Sequence, residues 1–169
     1  NSKGALIIKP GAKIMAVGTK EQPIVFTSNQ PAGQRRAGDW GGLVILGNAP
    51  VNKTPAVVEG EEETEFGGTN PTDNSGELKY IRIEFAGIAY APNKEINSLT
   101  FGGVGSGTKV EFIQTSFGGD DSFEWFGGTV NARHLVSYRG LDDDFDSDNG
   151  FSGNVQYGLV LRDPAVADQ

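Results

Sequence analysis

Short apolar runs recur along this chain, and none of them is long. Examples are Ile24-Val25-Phe26 and Leu43-Val44-Ile45-Leu46, and Gly, Pro, Asn or Asp bounds each run. Apolar and polar residues alternate in residues 81–85 and 155–161, as they do in strands with one buried face. No window of a dozen residues keeps the apolar spacing of an amphipathic helix. The pattern therefore predicts an essentially all-β protein.

Several strand-like segments repeat. Residues 123–128 align with 145–150 at a spacing of 22, and residues 115–119 align with 136–140 at a spacing of 21. An earlier copy at 83–87 lies 32 residues upstream. A period of about 20 to 25 residues indicates a solenoid, in which stacked coils bury an apolar face that one coil cannot bury alone. At that period the chain would hold about seven coils.

Two segments interrupt the repeat. The step of 32 residues implies an insertion, for which residues 89–95 are the candidate, and residues 50–76 predict a larger loop outgrowth. We interpret residues 1–169 as a single domain, a fragment or mature part of a larger protein, because the chain begins at Asn1. A Greek-key sandwich is the alternative fold, although its short strands would not repeat in sequence.

Composition excludes several classes of function. The chain has 25 Gly, no Cys and a net charge of −8. Without Cys there are no disulfides, thiolate zinc sites or cysteine nucleophiles. The acidic balance disfavours nucleic acid as a partner, because phosphate binding needs clustered Lys and Arg. No run approaches the roughly 18 apolar residues of a transmembrane segment.

Four segments carry a family resemblance. Residues 5–14 and 23–28 resemble the coils of right-handed parallel β-helix proteins of the pectate-lyase-like superfamily, and the alignment sets the coil at roughly 21–23 residues. Residues 38–47 and 141–153 are similar to a narrower group of secreted or surface-anchored proteins typical of Bacteroidota. That resemblance implies an extracellular, outer-membrane-associated location, through parts outside this chain. The superfamily includes polysaccharide lyases and hydrolases as well as adhesins, so the fold leaves the activity open.

The most acidic segment, residues 142–148, is the first candidate site. In a strand Asp144, Asp146 and Asp148 would project to one face at intervals of about 6.6 Å, and the repeat places Glu124 beneath Asp146. Crowded carboxylates favour a hard cation such as Ca²⁺. The metal candidates are Asp142, Asp143, Asp144, Asp146 and Asp148. A solvated acidic turn is the alternative.

The same acids are candidates for catalysis. Hydrolysis of a glycosidic bond needs two carboxyl groups about 5 to 9.5 Å apart, which Glu124, Asp144 and Asp146 could supply. Arg139 and Arg162 occupy equivalent positions one coil apart, so Arg139 is a candidate helper and both are candidate ligand-binding residues. Surface ion pairs with Asp142, Asp143 or Asp163 are the simpler interpretation of both arginines.

Two aromatic residues are candidates for stacking on a sugar. Trp125 and Tyr138 could each offer a flat apolar face. Burial is the alternative for both, since Trp125 shares a strand face with Phe123, and Tyr138 aligns with Phe85 and Phe117 in an internal stack.

Three functions remain open. The first is a noncatalytic extracellular scaffold or adhesin-like module that binds a glycan or another surface protein, with Ca²⁺ as a candidate ligand. The second is a carbohydrate-active enzyme, either a polysaccharide lyase or a glycoside hydrolase. The third is a structural subunit whose coil ends pair with another chain or continue into further coils.

Overall fold

The fold is built from short strands joined by turns. A computed structural model describes residues 4–60, 63–91 and 94–166. Within these ranges the strands are β1 (Ala5–Ile8), β2 (Ile14–Val17), β3 (Ile24–Phe26), β4 (Gly42–Leu46), β5 (Gly76–Glu84), β6 (Ala89–Ala91), β7 (Lys94–Glu95), β8 (Leu99–Gly102), β9 (Lys109–Ser116), β10 (Phe123–Phe126), β11 (Asn131–Tyr138), β12 (Asp146–Asp148) and β13 (Val155–Leu161). The described residues contain no helix of the length and apolarity that a membrane crossing needs.

Most of the strands form two parallel sheets, and successive coils add one level to each sheet. Sheet A has the order β1-β4-β8-β10-β12, and sheet B has the order β2-β5-β9-β11-β13 with β3 also paired to β5. Each coil contributes to both sheets, so the protein is a parallel β-helix, and the sandwich alternative is wrong. The described chain has five levels, one for each strand of sheet A. The expected seven coils are wrong because the two insertions use residues that would otherwise make coils.

The main core lies between the sheets. Sheet A points its residues Leu43, Leu99 and Phe123 inward at successive levels, since these residues are paired in register. Ile81, Ile113 and Leu135 do the same in sheet B. All six side chains are at most 1% exposed. Residues that are one coil apart in the sequence are therefore in contact on neighbouring strands.

The outer face of sheet A is covered as well. Val44, Leu46 and Phe126 point away from the main core and pack in a second cluster with Val58 and Phe66, from the segment between β4 and β5. That segment, residues 47–75, contains no strand among its described residues, and Ala89–Ala91 and Lys94–Glu95 form the antiparallel pair β6 and β7. The two insertions therefore place a second layer over one face of the solenoid.

Sheet B carries a kink that sequence alignment misses. Tyr80, Phe112, His134 and Tyr157 each have a positive φ of 51° to 60°, and their rings stack at centroid distances of 4.4 to 4.7 Å. Strands β9 and β11 pair Thr115 with Ser137. The spacing here is therefore 22 residues, and the predicted spacing of 21 is wrong by one.

A second ladder lies at the ends of the sheet B strands. Phe85 stacks on Phe117 at 5.0 Å, and Phe117 meets Tyr138 edge to face at 5.3 Å. The stack exists as predicted, but the three rings are half-buried rather than internal. Its residues Phe85 and Phe117 have a positive φ of 60° and 56°, which turns their side chains out of the core.

Candidate functional site

An acidic cleft of about 500 Å³ lies between sheet A and the insertions that cover it. Carboxylates from the turns before β10 and β12, and from those two strands, line its floor, and Glu59 and Glu95 approach from the insertions. The floor residues are Asp120, Asp121, Glu124, Asp142 and Asp146. We call these five residues the acidic cluster.

A glycine corner positions the first two acids. Gly87 has a φ of +89°, and a Cβ built on it would lie 2.6 Å from the Gly119 nitrogen and 2.7 Å from the Asp120 nitrogen. The Gly119 N–H donates to the Ala86 carbonyl at 2.9 Å, which ties this corner to the coil before it. Only glycine permits so close an approach of two coils. The close packing fixes the backbone that leads into Asp120 and Asp121.

Hydrogen bonds between coils hold Asp121 in place. The Ser98 N–H donates to the Asp121 carbonyl at 2.8 Å, and the Asp143 N–H donates to the Asp121 carboxylate at 2.9 Å. The second bond joins the turn before β12 to the turn before β10. It holds the carboxylate of Asp121, which belongs to the coil of Glu124, against the coil of Asp146.

Glu124 lies on the outer face of sheet A, yet it is only 7% exposed. It is paired in register with Asp146, as the repeat predicts. The Asn97 side-chain amide, in the segment after β7, donates to its carboxyl group. The insertion thus buries a glutamate that would face water on a bare solenoid.

Burial and crowding change the acidity of the cluster. Loss of hydration, with the charges of neighbouring carboxylates, raises the pKa of Asp120 and of Asp121 to about 7. Loss of hydration is also the main cause that raises the pKa of Glu124 to about 9. The charges on Asp121 and Asp146 add to that rise, while the hydrogen bond from Asn97 opposes it. At neutral pH the cluster therefore holds protons that isolated carboxyl groups would release.

The five acids form two overlapping sets of three. One set is Asp120, Asp121 and Asp142, and the other is Asp121, Glu124 and Asp146. In each set the candidate ligand oxygens lie within 4.8 Å of one another. Oxygens that converge in this way could hold a hard cation, and the described residues place no lysine or arginine in an ion pair with Asp121, Glu124 or Asp146. Asp121 belongs to both sets and is the centre of the cluster.

The structure separates the metal candidates that the sequence placed together. Asp142 and Asp146 belong to the acidic cluster. Asp144 instead accepts a hydrogen bond from Ser137 at 2.6 Å and pairs with Arg162 at 2.9 Å. The side chains of Asp143 and Asp148 are exposed and lie outside the two sets. A single strand face does not hold the predicted ligands, because residues 141–145 form turns and β12 begins only at Asp146.

The arginines stabilise the turns beside the cleft. Arg139 pairs with Asp163 at 3.0 Å, and Arg162 also donates to the carbonyls of Leu141 and Asp142. Arg139 is therefore in one of the ion pairs of the simpler interpretation, whereas the partner of Arg162 is Asp144, which that interpretation did not name. Neither they nor Asp144 line the acidic cleft, so these residues do not form one catalytic set with Glu124 and Asp146.

The two aromatic candidates are also placed apart from the cleft. Trp125 is 1% exposed and stacks against Phe101 at 5.8 Å and Phe151 at 5.5 Å in the main core. The prediction that Trp125 binds a ligand is contradicted, because a ring so enclosed cannot meet a sugar. Tyr138 is half-buried in a separate groove with Phe85 and Phe117, where Arg139 lies 5.5 Å from its ring centre.

Sequence reasoning missed Asp120, Asp121 and Asn97. A signal was present for the two aspartates, since residues 120–121 precede residues 142–143 by the coil spacing of 22. Two adjacent acids one coil below two others predict an acidic column. Asn97 gave no such signal, because its approach to Glu124 depends on the path of the insertion.

Comparison with known proteins gives a family and no closer relative. No curated protein matches the chain. No solved structure matches it either. A family model described as a pectate-lyase like beta helix domain matches residues 1–166. The parallel sheets and stacked coils agree with this match, and the chain belongs to the pectate-lyase-like β-helix domain family.

Proposed function

We propose that this chain is a calcium-binding β-helix module of an extracellular protein, adhesin-like rather than catalytic. The observation that carries the proposal is the convergence of four carboxylates on a fifth, Asp121, with the three ligand oxygens of each set within 4.8 Å of one another. Ca²⁺ takes six to eight hard oxygen ligands in a flexible geometry, and carboxylates with water complete such a shell. The raised pKa values of Asp120, Asp121 and Glu124 support the proposal, because a divalent cation would replace the retained protons.

The cleft suggests how the module would act. A cation held on its floor would keep coordination positions open toward the solvent, where hydroxyl or carboxylate groups of a glycan or of another surface protein could bind. The resemblance of residues 38–47 and 141–153 to secreted Bacteroidota proteins supports a location at the cell surface. In this proposal the cation joins the protein to its partner, and no bond is broken.

Calorimetry tests the cation site directly. Metal-stripped protein at pH 8 is titrated with CaCl₂, and Asp121→Asn is compared with Asp148→Asn, a matched change on the exposed part of β12. We expect Asp121→Asn to weaken Ca²⁺ binding at least about 10-fold, because it removes a charged ligand from both sets. Asp148→Asn should leave the affinity unchanged. Absence of binding at millimolar Ca²⁺, or equal losses in the two variants, would overturn the proposal.

Glycoside hydrolysis is the second candidate, favoured by the proton that Glu124 keeps. A buried carboxylic acid with a pKa of about 9, paired in register with Asp146, has the protonation that a general acid needs at neutral pH. Hydrolysis needs only two carboxyl groups, whereas three converge in each set, which favours the cation. Release of reducing ends from neutral and acidic polysaccharides, lost in Glu124→Gln, would support hydrolysis instead.

A further inference from the structure

An aromatic ladder on sheet B borders a groove of about 480 Å³. Its rings at the middle levels are Tyr80 on β5, Phe112 on β9 and His134 on β11. Each of these strands is paired on both sides, so the three rings lie inside the solenoid and away from its ends. Arg82 and Gln114, which are paired in register, also line the groove. We call this feature the ladder groove.

The backbone at these rings is strained. Tyr80, Phe112 and His134 have φ values of 51° to 58°, a region that glycine enters freely and other residues enter only at a cost. The chain has 25 glycines, yet three successive coils have a ring at this position. The gain from stacking one ring pair does not exceed that cost, so stability alone gives little reason for a ring here. Strain that recurs at one position of the fold points to a functional role.

The ladder offers the edges of its rings to the groove rather than their faces. Phe112 lies between Tyr80 and His134 at centroid distances of 4.7 and 4.4 Å, with interplanar angles of 11° and 3°. The other face of His134 is covered by Tyr157 at 4.7 Å. The edge of an aromatic ring carries partial positive charge, whereas its face carries partial negative charge. The middle of the ladder therefore presents a positive surface to a ligand.

The charged residues of the groove have the same sign as the ring edges. Lys20 and Arg82 line it, and none of its lining residues in the described part of the chain is Asp or Glu. This contrasts with a protein that has 22 acidic residues and a net charge of −8. Glu84 pairs with Arg82 at 3.5 Å, but it lies outside the groove and accepts a hydrogen bond from Thr27 at 3.1 Å, and a partly exposed ion pair of this kind contributes little. The ladder groove is therefore complementary to an anion.

From these observations we propose that the ladder groove binds an acidic segment of a partner protein in an extended conformation. The carboxylates of the segment contact Arg82, Lys20 and the ring edges, and its apolar side chains pack on Val136. Neighbouring strands of a sheet are about 4.8 Å apart, so the ladder from Tyr80 to His134 is about 10 Å long, a distance that about three residues of extended chain span. The ladder groove is on sheet B and the acidic cleft is on the outer face of sheet A, so this inference goes beyond the proposed calcium site.

A peptide fits this groove better than a sugar chain does. A sugar stacks on the open face of an aromatic ring, and the faces of Phe112 and His134 are already covered by other rings. A carboxylate needs only donors and positive charge, which Arg82 and the ring edges supply. Arg82 and Val136 hold one strand position two levels apart, with Gln114 between them. A peptide in which acidic and apolar side chains alternate matches this wall.

Fluorescence anisotropy in EDTA measures the binding of a labelled, end-blocked hexapeptide in which aspartate alternates with leucine. The comparison ligands are the same hexapeptide with lysine in place of aspartate, and a labelled mannuronate hexamer as an acidic sugar chain. Arg82→Gln and Lys20→Gln each remove one charge from the groove. Arg133→Gln is the matched control, since Arg133 is also paired with a glutamate on sheet B but lies outside the groove. The EDTA makes this test independent of the proposed calcium site, so that either proposal can fail alone, and circular dichroism checks that each variant folds.

We expect the wild type to bind the acidic peptide with a dissociation constant below about 1 mM, and at least about 10-fold more tightly than the lysine peptide or the sugar chain. Arg82→Gln and Lys20→Gln should each weaken this binding at least about 3-fold, and Arg133→Gln should change it by less than about 1.5-fold. No binding of the acidic peptide at about 1 mM, equal binding of the lysine peptide, or tighter binding of the sugar chain overturns the proposal. So does a loss in Arg133→Gln that equals the loss in the two groove variants.

A change in one ring tests the role of the ladder. Phe112→pentafluorophenylalanine keeps a ring of similar shape in the stack but makes its edge negative. The acidic peptide should then bind at least about 3-fold more weakly, whereas the lysine peptide should not lose affinity. A ladder that only supports the fold would leave the affinity of the folded variant unchanged, and that result would overturn the assignment of the ring edges as the binding surface.

Discussion

Replacing Glu124 by glutamine should stabilise the cation-free protein, and the gain should grow with pH. Glutamine has the shape of the protonated glutamate and can accept the hydrogen bond that Asn97 donates. The change therefore keeps the packing at low pH. It removes a group that the folded protein cannot easily ionise.

The sign and size follow from the two pKa values of Glu124. The folded protein raises the pKa of this carboxyl group from its ordinary 4.5 to about 9, so between these pH values the folded state binds a proton that the unfolded chain has released. The free energy of unfolding of the wild type must then fall as pH rises. A difference of one bound proton over the three units from pH 5 to pH 8 lowers the free energy of unfolding by at most about 4 kcal/mol, since Glu124 titrates together with its neighbours.

Urea unfolding in EDTA at pH 5 and at pH 8 measures this difference. Glu124→Gln should be close to the wild type at pH 5 and more stable by about 2 to 4 kcal/mol at pH 8. Glu63→Gln, at an exposed position in the segment between β4 and β5, is the matched control and should change stability by less than about 0.5 kcal/mol at either pH. A difference between Glu124→Gln and the wild type that is the same at both pH values would refute the reasoning, because the burial of Glu124 would then have no ionisation cost.

Three further predictions concern the corner, the core and the cation. Gly87→Ala should destabilise the protein by at least about 2 kcal/mol in urea unfolding, because the new Cβ would lie 2.6 Å from a backbone nitrogen. Gly33 is the matched control, since it also has a positive φ but a Cβ built on it has nothing within 4 Å. Gly33→Ala should therefore lower the free energy of unfolding by only about 1 kcal/mol. Trp125→Ala should lower the free energy of unfolding by about 3 to 5 kcal/mol and leave Ca²⁺ affinity in calorimetry unchanged, since the ring is a core residue. Apparent Ca²⁺ affinity should rise between pH 6 and pH 8 with release of protons, seen as calorimetric heats that depend on the buffer, and Asp121→Asn should reduce that release.

The sequence was sufficient for the fold because a solenoid repeats its local rules at every level. The spacing of 22 between residues 123–128 and 145–150 correctly paired Glu124 with Asp146. It was less reliable in sheet B, where the alignment gave a spacing of 21 although β9 and β11 pair at 22 along their whole length, and where nothing in the apolar pattern predicts the positive φ of His134. A kink of this kind depends on stacking with Phe112 and Tyr157, which no single strand encodes.

The site was predicted less completely because it depends on distant segments. Two of the five predicted metal ligands, Asp142 and Asp146, belong to the acidic cluster, and the other three aspartates of that segment do not. Asp144 looked equivalent to Asp146 in a strand, but it lies in a turn, where Ser137 and Arg162 bind it. Alternation along one segment cannot predict a turn that another coil stabilises.

Stacking makes the acids of this protein costly to keep ionised. Asp121 and Asp143 are 22 residues apart in sequence, a separation at which charges in an unfolded chain hardly interact, yet one donates a backbone hydrogen bond to the carboxylate of the other. The insertions then remove water from Glu124. A folded protein can offset such crowding either with retained protons or with a bound cation. These two effects should stabilise the protein at different pH values. Low pH supplies the protons, and Ca²⁺ should matter most above neutral pH, where the protons are lost. A protein whose unfolding free energy depends strongly on pH in EDTA, and only weakly in saturating Ca²⁺, would show that the same carboxylates account for both effects.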